Sequence, residues 1–429
     1  MKPLSVLLNI SKIAHKIFAN EISIILIMSF KQEGKKNFPT WPIYDTNEIN
    51  ALNNVIKSGK WWCGSPGTHQ GENVWIFQEQ FAKFQESDYC IAVFNGTVAI
   101  EAALIALGIG FGDEVIVSNY TFVASASAVI ATNAIPIFCD INADTFVMDV
   151  DLIEKLITKR TKAIIPVHLA GNPVEMDKLR EISDKYNLKI IEDCAHAHGS
   201  IYKGKKLGNW GDSGTFSFQA SKVLTSGEGG AIICNNESLA DIIYSYIDCG
   251  RKKNGYGYSH FSYGTNYRMT EYQAAILLEQ IKRFPAQHKL RNENAQYLMK
   301  ELNAIEGIKT MKITSGATKL GWYVFPFIFD PQQFGGLTKE EFNTQLNQNG
   351  IPTDNCYPPL HSLDCFKEVK LRKGIIYSHA NWGGNKSNDK YFPVVSDIYS
   401  RSIEFPQEIL LSSRDQLNLI VKFIKSLKS

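Results

Sequence analysis

The feature that most restricts the fold is the alternation of elements between residues 89 and 248. Short β-branched runs stand at 90–94, 114–118, 135–139, 163–167, 189–192, 214–218 and 231–234, and helical periodicity fills most intervals, as at 98–107, 124–131 and 175–186. Strands separated by crossover helices pair in parallel, and a sheet covered by helices on both faces needs strands that are apolar throughout. The runs have that character, which predicts a three-layer α/β/α domain with a mostly parallel sheet. The last two runs lie too close for a crossover helix, so that pair is expected to be antiparallel.

Beyond Phe284-Pro285 the character changes. A helix at 290–302, an apolar run at 323–329, a Gly335-Gly336 turn and a final helix at 415–427 read as a smaller α+β domain. The expected division is 38–285 for the large domain and 286–429 for the small one. Residues 1–37 form an extension, and Lys2, Lys12, Lys16, Lys31, Lys35 and Lys36 there outnumber Glu21 and Glu33. Such a basic, patchily apolar segment suits an amphipathic surface helix. It is equally compatible with packing on the domain or disorder. The favoured reading starts translation at Met28, which would leave 1–27 untranslated.

Composition removes several function classes. The 45 basic and 43 acidic residues nearly cancel, with no dense basic run, so nucleic-acid binding by counterion release is not expected. The strongly apolar stretch 22–28 is far short of the roughly 20 residues a membrane helix needs. Eight cysteines without a CxxC pair argue against a zinc site or disulfide framework. A cytoplasmic enzyme is the resulting expectation, with no membrane or nucleic-acid partner and no metal.

Four segments carry chemistry. Asn95-Gly96-Thr97 precedes an Ala-rich helix, where glycine permits close backbone approach and a helix N-terminus offers N–H groups to a phosphate; the alternative is a plain cap with Thr97 as N-cap. Glu192-Asp193 closes an apolar strand, at the carboxyl edge where open α/β sheets bind ligands. Asp193 there can pair with a pyridinium nitrogen or simply cap the next turn, and the following His196 and His198 lack a third metal ligand at a fixed offset. Lys222 follows an apolar strand and precedes a Gly-rich turn; burial lowers a lysine's pKa and makes it a nucleophilic amine able to form a Schiff base. Ser217, five residues earlier, is placed to bond a phosphate, while a surface lysine beside a hairpin is the competing reading. The fourth segment, GTNYRMT (264–270), reads locally as a turn and a helix capped by Thr270.

In order and spacing, these segments resemble the DegT/DnrJ/EryC1/StrS family of pyridoxal-phosphate aminotransferases acting on sugars and cyclitols. The wording that carries the resemblance is GDEVIV (112–117), YTFVA (120–124), RTKAIIPVHLAG (160–171), EDCAHAHG (192–199) and SFQASKVLTSGEGGA (217–231). Five ordered motifs do not arise by chance as single ones do. The resemblance implies a fold-type I, aspartate aminotransferase-like architecture with pyridoxal 5′-phosphate as cofactor. Lys222 looks like the lysine that bears the cofactor and moves the proton, and Asp193 like the partner of the pyridine nitrogen. His196 sits near the expected 3-hydroxyl, Phe122 matches the aromatic stacked on the ring, and Gly96, Thr97 and Ser217 match phosphate ligands. Asn266 matches a residue reaching the phosphate of the neighbouring subunit, which implies a homodimer with shared sites.

The implied reaction moves an amino group from glutamate or glutamine to a nucleotide-linked keto sugar or a cyclitol ketone such as scyllo-inosose. Dehydratases of the family carry His at the lysine position, so Lys222 favours transamination over a sugar dehydratase or another class on the same fold. A non-catalytic regulatory relative would show a damaged set, and here every matched position is intact. Trp61, Trp62 and Trp75 can cover a sugar face or pack a core. His168 reads equally as a site residue or a satisfied neighbour, and Tyr357-Pro358-Pro359-Leu360-His361 as a pocket wall or a rigid turn. The Tyr/Gly-rich stretch 255–263 can serve as a substrate loop.

Overall fold

The computed structural model describes residues 38–64, 71–252, 258–367, 369–371, 375–377 and 389–428. The expectations for 1–37, and for 255–257 of the Tyr/Gly-rich loop, lie outside the described residues.

The large part is built on β1 (Tyr89–Val93), β2 (Glu114–Ser118), β3 (Ile135–Cys139), β4 (Thr161–Ile165), β5 (Lys189–Asp193), the short hairpin β6 (Ile201–Tyr202) and β7 (Lys205–Lys206), β8 (Ser213–Ser217) and β9 (Gly230–Cys234). Seven of these form one sheet in the order β1-β9-β8-β5-β4-β2-β3. The pairs β2·β3, β2·β4, β4·β5 and β5·β8 are parallel, while β9 runs antiparallel to both neighbours. The antiparallel pair expected from spacing is therefore β8·β9. Every residue of β2, β3 and β9 is buried, as strands covered on both faces must be.

After α1 (Thr46–Ser58), the helices α2 (Asn73–Gln85), α3 (Gly96–Ala106), α4 (Ala124–Ala131) and α5 (Met176–Tyr186) pack against strands of this sheet. α3 buries Val98, Ala99, Ile100, Ala102, Ala103 and Leu104, and this apolar girth marks a helix enclosed by protein rather than one with a wet face. Its N-cap is Asn95, whose side chain accepts from the Val98 N–H at 3.0 Å; Thr97, expected as the cap, is the second helical residue. Asn outranks Thr as a cap and stands at the last extended position before the helix.

After α6 (Glu237–Ile247), the chain enters α7 (Glu271–Asn303), 33 residues long with Pro285 inside. The two helices expected at 271–281 and 290–302 are thus one, and the proposed boundary at 285/286 falls within it. Proline removes one rung of the ladder and normally breaks a helix. The buried residues Ala274, Leu277, Ile281, Phe284, His288, Arg291, Ala295, Leu298 and Leu302 keep a 3-4 spacing through the proline, so packing on both sides holds the helix together. Thr270 caps it in a capping box with Gln273, as expected.

Beyond α7, β10 (Ile308–Thr310), β12 (Val324–Phe329), β16 (Ser402–Pro406) and β13 (Asp354–Asn355) form an antiparallel sheet in the order β10-β12-β16-β13, and β14 (Val369–Leu371) pairs with β15 (Ile375–Tyr377) as a separate hairpin. β11 (Ala317–Lys319) leaves this unit and pairs with β6 of the large part. One apolar core runs through both parts. The link delivers Tyr323, between β11 and β12, to the carboxyl edge of the main sheet.

Candidate active site

The carboxyl ends of the central strands open into a cavity of about 550 Å³. Gly96, Thr97, Phe122, Asp193, His196, Ser217 and Lys222 all line it, so seven of the eight residues singled out in the sequence meet at one place. Asn266 does not line it; it is exposed and forms a bridge with Asp248.

Asp193 closes β5, where its backbone N–H donates to Pro166 O at 2.9 Å. Ser125 Oγ donates to its Oδ2 at 2.7 Å and the Ala195 N–H to its Oδ1 at 3.1 Å. The carboxylate thus caps the following turn and faces the cavity at once. Of the two readings offered by the sequence, the turn cap is therefore present, and the carboxylate is also placed where a ligand could meet it.

Strand β8 ends at Ser217, and Lys222 lies five residues further on, in the turn rather than at the strand end. Its N–H donates to Gln219 O at 2.9 Å, and the side chain is only 8% exposed. Burial pushes its ammonium down to about 7, against the opposing pull of Asp193 and Glu404. Nζ stands 3.8 Å from the centre of the Tyr323 ring.

His196 is buried, and burial, reinforced by Lys222 and His198, holds its imidazole well below the usual range, so it is neutral. The Ala170 N–H donates to Nδ1 at 3.3 Å, which leaves the proton on Nε2, 3.5 Å from the Tyr357 hydroxyl. Its ring lies on Tyr323 with centroids 4.1 Å apart. Phe122, 52% exposed, presents its ring from the opposite loop, 5.9 Å from Tyr357.

At the other end, the N-terminus of α3 meets Ser217. A side chain on Gly96 would stand 2.7 Å from Ser217 Cβ, and one on Gly230 would stand 2.3 Å from Asn95 O, so both glycines are required for this approach. The N-terminus of α3 thus opens beside the Thr97 and Ser217 hydroxyls, a setting suited to an anion.

Several neighbours differ from expectation. Tyr323, Ser125, Thr121, Gln219 and Glu228 line the cavity without having been singled out. Ser125 and Tyr323 sit in a small-residue helix and next to an apolar run, where composition alone reads as packing. Tyr357 proves to be a wall of the cavity, whereas His361 turns away to bond Asn119 Nδ2 at 2.8 Å. His168 is a satisfied neighbour: Nδ1 accepts from the Val174 N–H at 3.2 Å, and Nε2 lies 3.1 Å from Glu192. His168, Glu192 and Cys194 bring potential metal ligands together, but Glu192 already accepts from the N–H groups of Gly208, Trp210 and Gly211. Trp61 and Trp62 are exposed, Trp75 stacks on Tyr244, and none of the three lines the cavity.

The cavity sets a buried lysine and a strand-end carboxylate beside the N-terminus of a helix, a donor set suited to group transfer. The chain matches the DegT/DnrJ/EryC1/StrS aminotransferase family over residues 42–387 and belongs to it. It is 36% identical over 393 residues to the L-glutamine:2-deoxy-scyllo-inosose aminotransferase of Streptoalloteichus tenebrarius, covering 89% of this chain and 92% of that one. The crystal structure of 3-amino-5-hydroxybenzoic acid synthase superposes with a TM-score of 0.82 at 30% identity, over 91% of this chain and 98% of that one. A candidate sugar aminotransferase of Streptococcus pneumoniae, solved in its PLP form, superposes with a TM-score of 0.77 at 25% identity, over 91% and 98%. The protein is an aminotransferase with the fold of the pyridoxal-phosphate enzymes. Among the described residues, no helix is long and apolar enough to cross a membrane.

Proposed function

We propose that the chain is a pyridoxal-phosphate-dependent aminotransferase that takes nitrogen from L-glutamine and delivers it to an uncharged cyclitol ketone of the inosose type. The observation that carries the reading is the meeting of Lys222 and Asp193 with the Gly96–Ser217 cradle in one cavity. The donor set fits the cofactor: a nucleophilic amine, an acceptor for a pyridinium proton, and backbone and hydroxyl donors for a phosphate. When bound, pyridoxal phosphate supplies an electron sink for the carbon that bears the transferred nitrogen.

The protein's own groups have distinct tasks. Lys222 Nζ, brought by burial to about 7, would be the amine that holds the cofactor's aldehyde, with loss of water, and the base that moves a proton when free. Asp193, fixed by Ser125 and Ala195, would accept the proton of a pyridinium nitrogen. His196, with its proton on Nε2, would donate a hydrogen bond to a ring oxygen, and Phe122 would offer an aromatic face. Thr97, Ser217 and the N-terminus of α3 would hold the phosphate.

The choice of acceptor rests on charge. Lys222 is the sole lysine or arginine among the described residues lining the cavity, and it is committed to the cofactor. Among the described residues of this chain a nucleotide-linked sugar's diphosphate would meet no further cationic partner there, whereas a cyclitol brings only hydroxyls. The similarity to an L-glutamine:2-deoxy-scyllo-inosose aminotransferase supports the same choice and favours glutamine over glutamate. We further propose a homodimer in which Asn266 serves the neighbour's site, consistent with its exposure. A cytoplasmic location is consistent with eight cysteines that are all free.

The test is an amino-transfer assay with L-glutamine and three acceptors: scyllo-inosose, 2-deoxy-scyllo-inosose and a nucleotide-linked 4-keto sugar. The proposal expects product from a cyclitol and little from the nucleotide sugar. The reverse preference would overturn the acceptor class, and no transfer to any of them would overturn the donor and acceptor assignment together.

A further inference from the structure

We infer that Tyr323 is a positioning residue whose ring face receives Lys222 Nζ while that amine is not covalently engaged, and favours its protonated form. The inference rests on the proposed role of Lys222 and adds a residue to it. Lys222 Nζ lies 3.8 Å from the centre of the Tyr323 ring, within the range of a strong cation–π contact, and no hydrogen bond or ion pair with any described residue reaches Nζ. The aromatic face is therefore its contact of record. In a site that must repeatedly release and recapture this amine, a fixed resting place keeps it aimed at the cavity.

The backbone around Tyr323 is built for that placement. Trp322, a bulky residue, adopts the left-handed conformation at φ 50°, where such side chains are genuine outliers. Its N–H donates to Ala170 O at 3.0 Å, and Ala170 is itself left-handed at φ 56° and donates its N–H to His196 Nδ1. Gly321 fits only as glycine, because a side chain there would stand 2.4 Å from His196 O. Two strained residues, back to back, thus orient His196 and Tyr323 as a close, tilted ring pair beside Lys222. Strain of this kind persists where surrounding structure over-determines it, characteristically at ligand clamps.

The hydroxyl of Tyr323 completes the clamp. Ser221 Oγ donates to Gln219 Oε1 at 2.7 Å, so Tyr323 is the donor in its 2.8 Å bond to Ser221 Oγ. The residue beside Lys222 is thereby tied to the ring that holds Lys222. The other charged or titratable groups facing the amine are Asp193 on β5, Glu404 on β16 and the neutral His196 and His198, with Tyr357 beyond. The ring adds to the two carboxyl groups in favouring the ammonium form, against burial.

The experiment is competitive acetylation of the full-length, cofactor-free protein across pH, read by peptide mass spectrometry as the titration midpoint of Lys222. Removing the ring in Tyr323→Leu should lower the midpoint by about one unit, while Tyr323→Phe, which keeps the ring, should leave it in place. Tyr323→Met serves as a second ring-free variant should the first not fold. An unchanged or raised midpoint in a ring-free variant overturns the inference, as does a Tyr323→Phe shift equal to that of Tyr323→Leu. Borohydride reduction of the cofactor-loaded protein with peptide mapping separates the two layers of the argument. Attachment at another lysine would overturn the role of Lys222, whereas attachment at Lys222 with an unmoved titration would overturn Tyr323 alone.

Discussion

Ser125 Oγ donates to Asp193 Oδ2 at 2.7 Å from the first turn of α4, across the mouth of the main sheet. The Ala195 N–H holds the other oxygen, so the carboxylate is oriented from two sides before any ligand arrives. A hydrogen bond to a charged group contributes about 1.5–3 kcal/mol. Ser125→Ala should therefore lower kcat about 10- to 100-fold, with the protein folded and still binding cofactor. Steady-state kinetics beside a circular dichroism spectrum checks this, and unchanged kcat would remove Ser125 from the account.

Gly96 makes a second point of leverage. An alanine there would stand 2.7 Å from Ser217 Cβ and 3.2 Å from its Cα, so α3 and β8 must separate. Gly96→Ala should weaken cofactor binding about tenfold or more, because the cradle is lost, and lower thermal stability as α3 is pushed off β8. Equilibrium titration with pyridoxal phosphate and a melting curve measure the two effects separately.

His198 gives a prediction about pH. Burial holds its imidazole at about 3, with Lys222 adding to the effect, while in the unfolded chain it titrates near the ordinary value of about 6.5. Between those values the unfolded state binds the extra proton, so stability from this group is complete above about 6.5 and declines as pH falls toward 3. The loss at pH 5 is about 2 kcal/mol. His198→Leu, which cannot titrate, should show a Tm that falls less between pH 7 and pH 5 than the parent protein. Parallel falls would contradict a buried neutral His198.

Much of this was legible in the chain because the site lies at strand ends. Asp193 and Ser217 stand at the last residues of apolar strands, and Gly96 opens the helix that follows another. Strand-end positions are visible from local pattern, and the ordered motifs around them carry the family resemblance. Tyr323 and Ser125 were not legible for the opposite reason. Tyr323 reaches Lys222 only because β11 (Ala317–Lys319) pairs with the sequence-distant β6 (Ile201–Tyr202) and Trp322 accepts a left-handed backbone, and neither leaves a local signal. Pro285 misled for a third reason: a proline is read as a break locally, but the apolar 3-4 spacing running through it decides the outcome. That spacing was available in the sequence.

The central claim is that Lys222 bears the cofactor and moves the proton. The direct measurement compares the purified protein with Lys222→Ala, each supplied with pyridoxal phosphate and L-glutamine, following the visible absorbance of the lysine-attached cofactor and the release of 2-oxoglutaramate. The account predicts that the parent protein shows both. The variant should lack the attached-cofactor absorbance and release keto acid at a rate lower by about 10²–10⁴-fold or more. A variant that keeps the absorbance and turns over at the parental rate would contradict it.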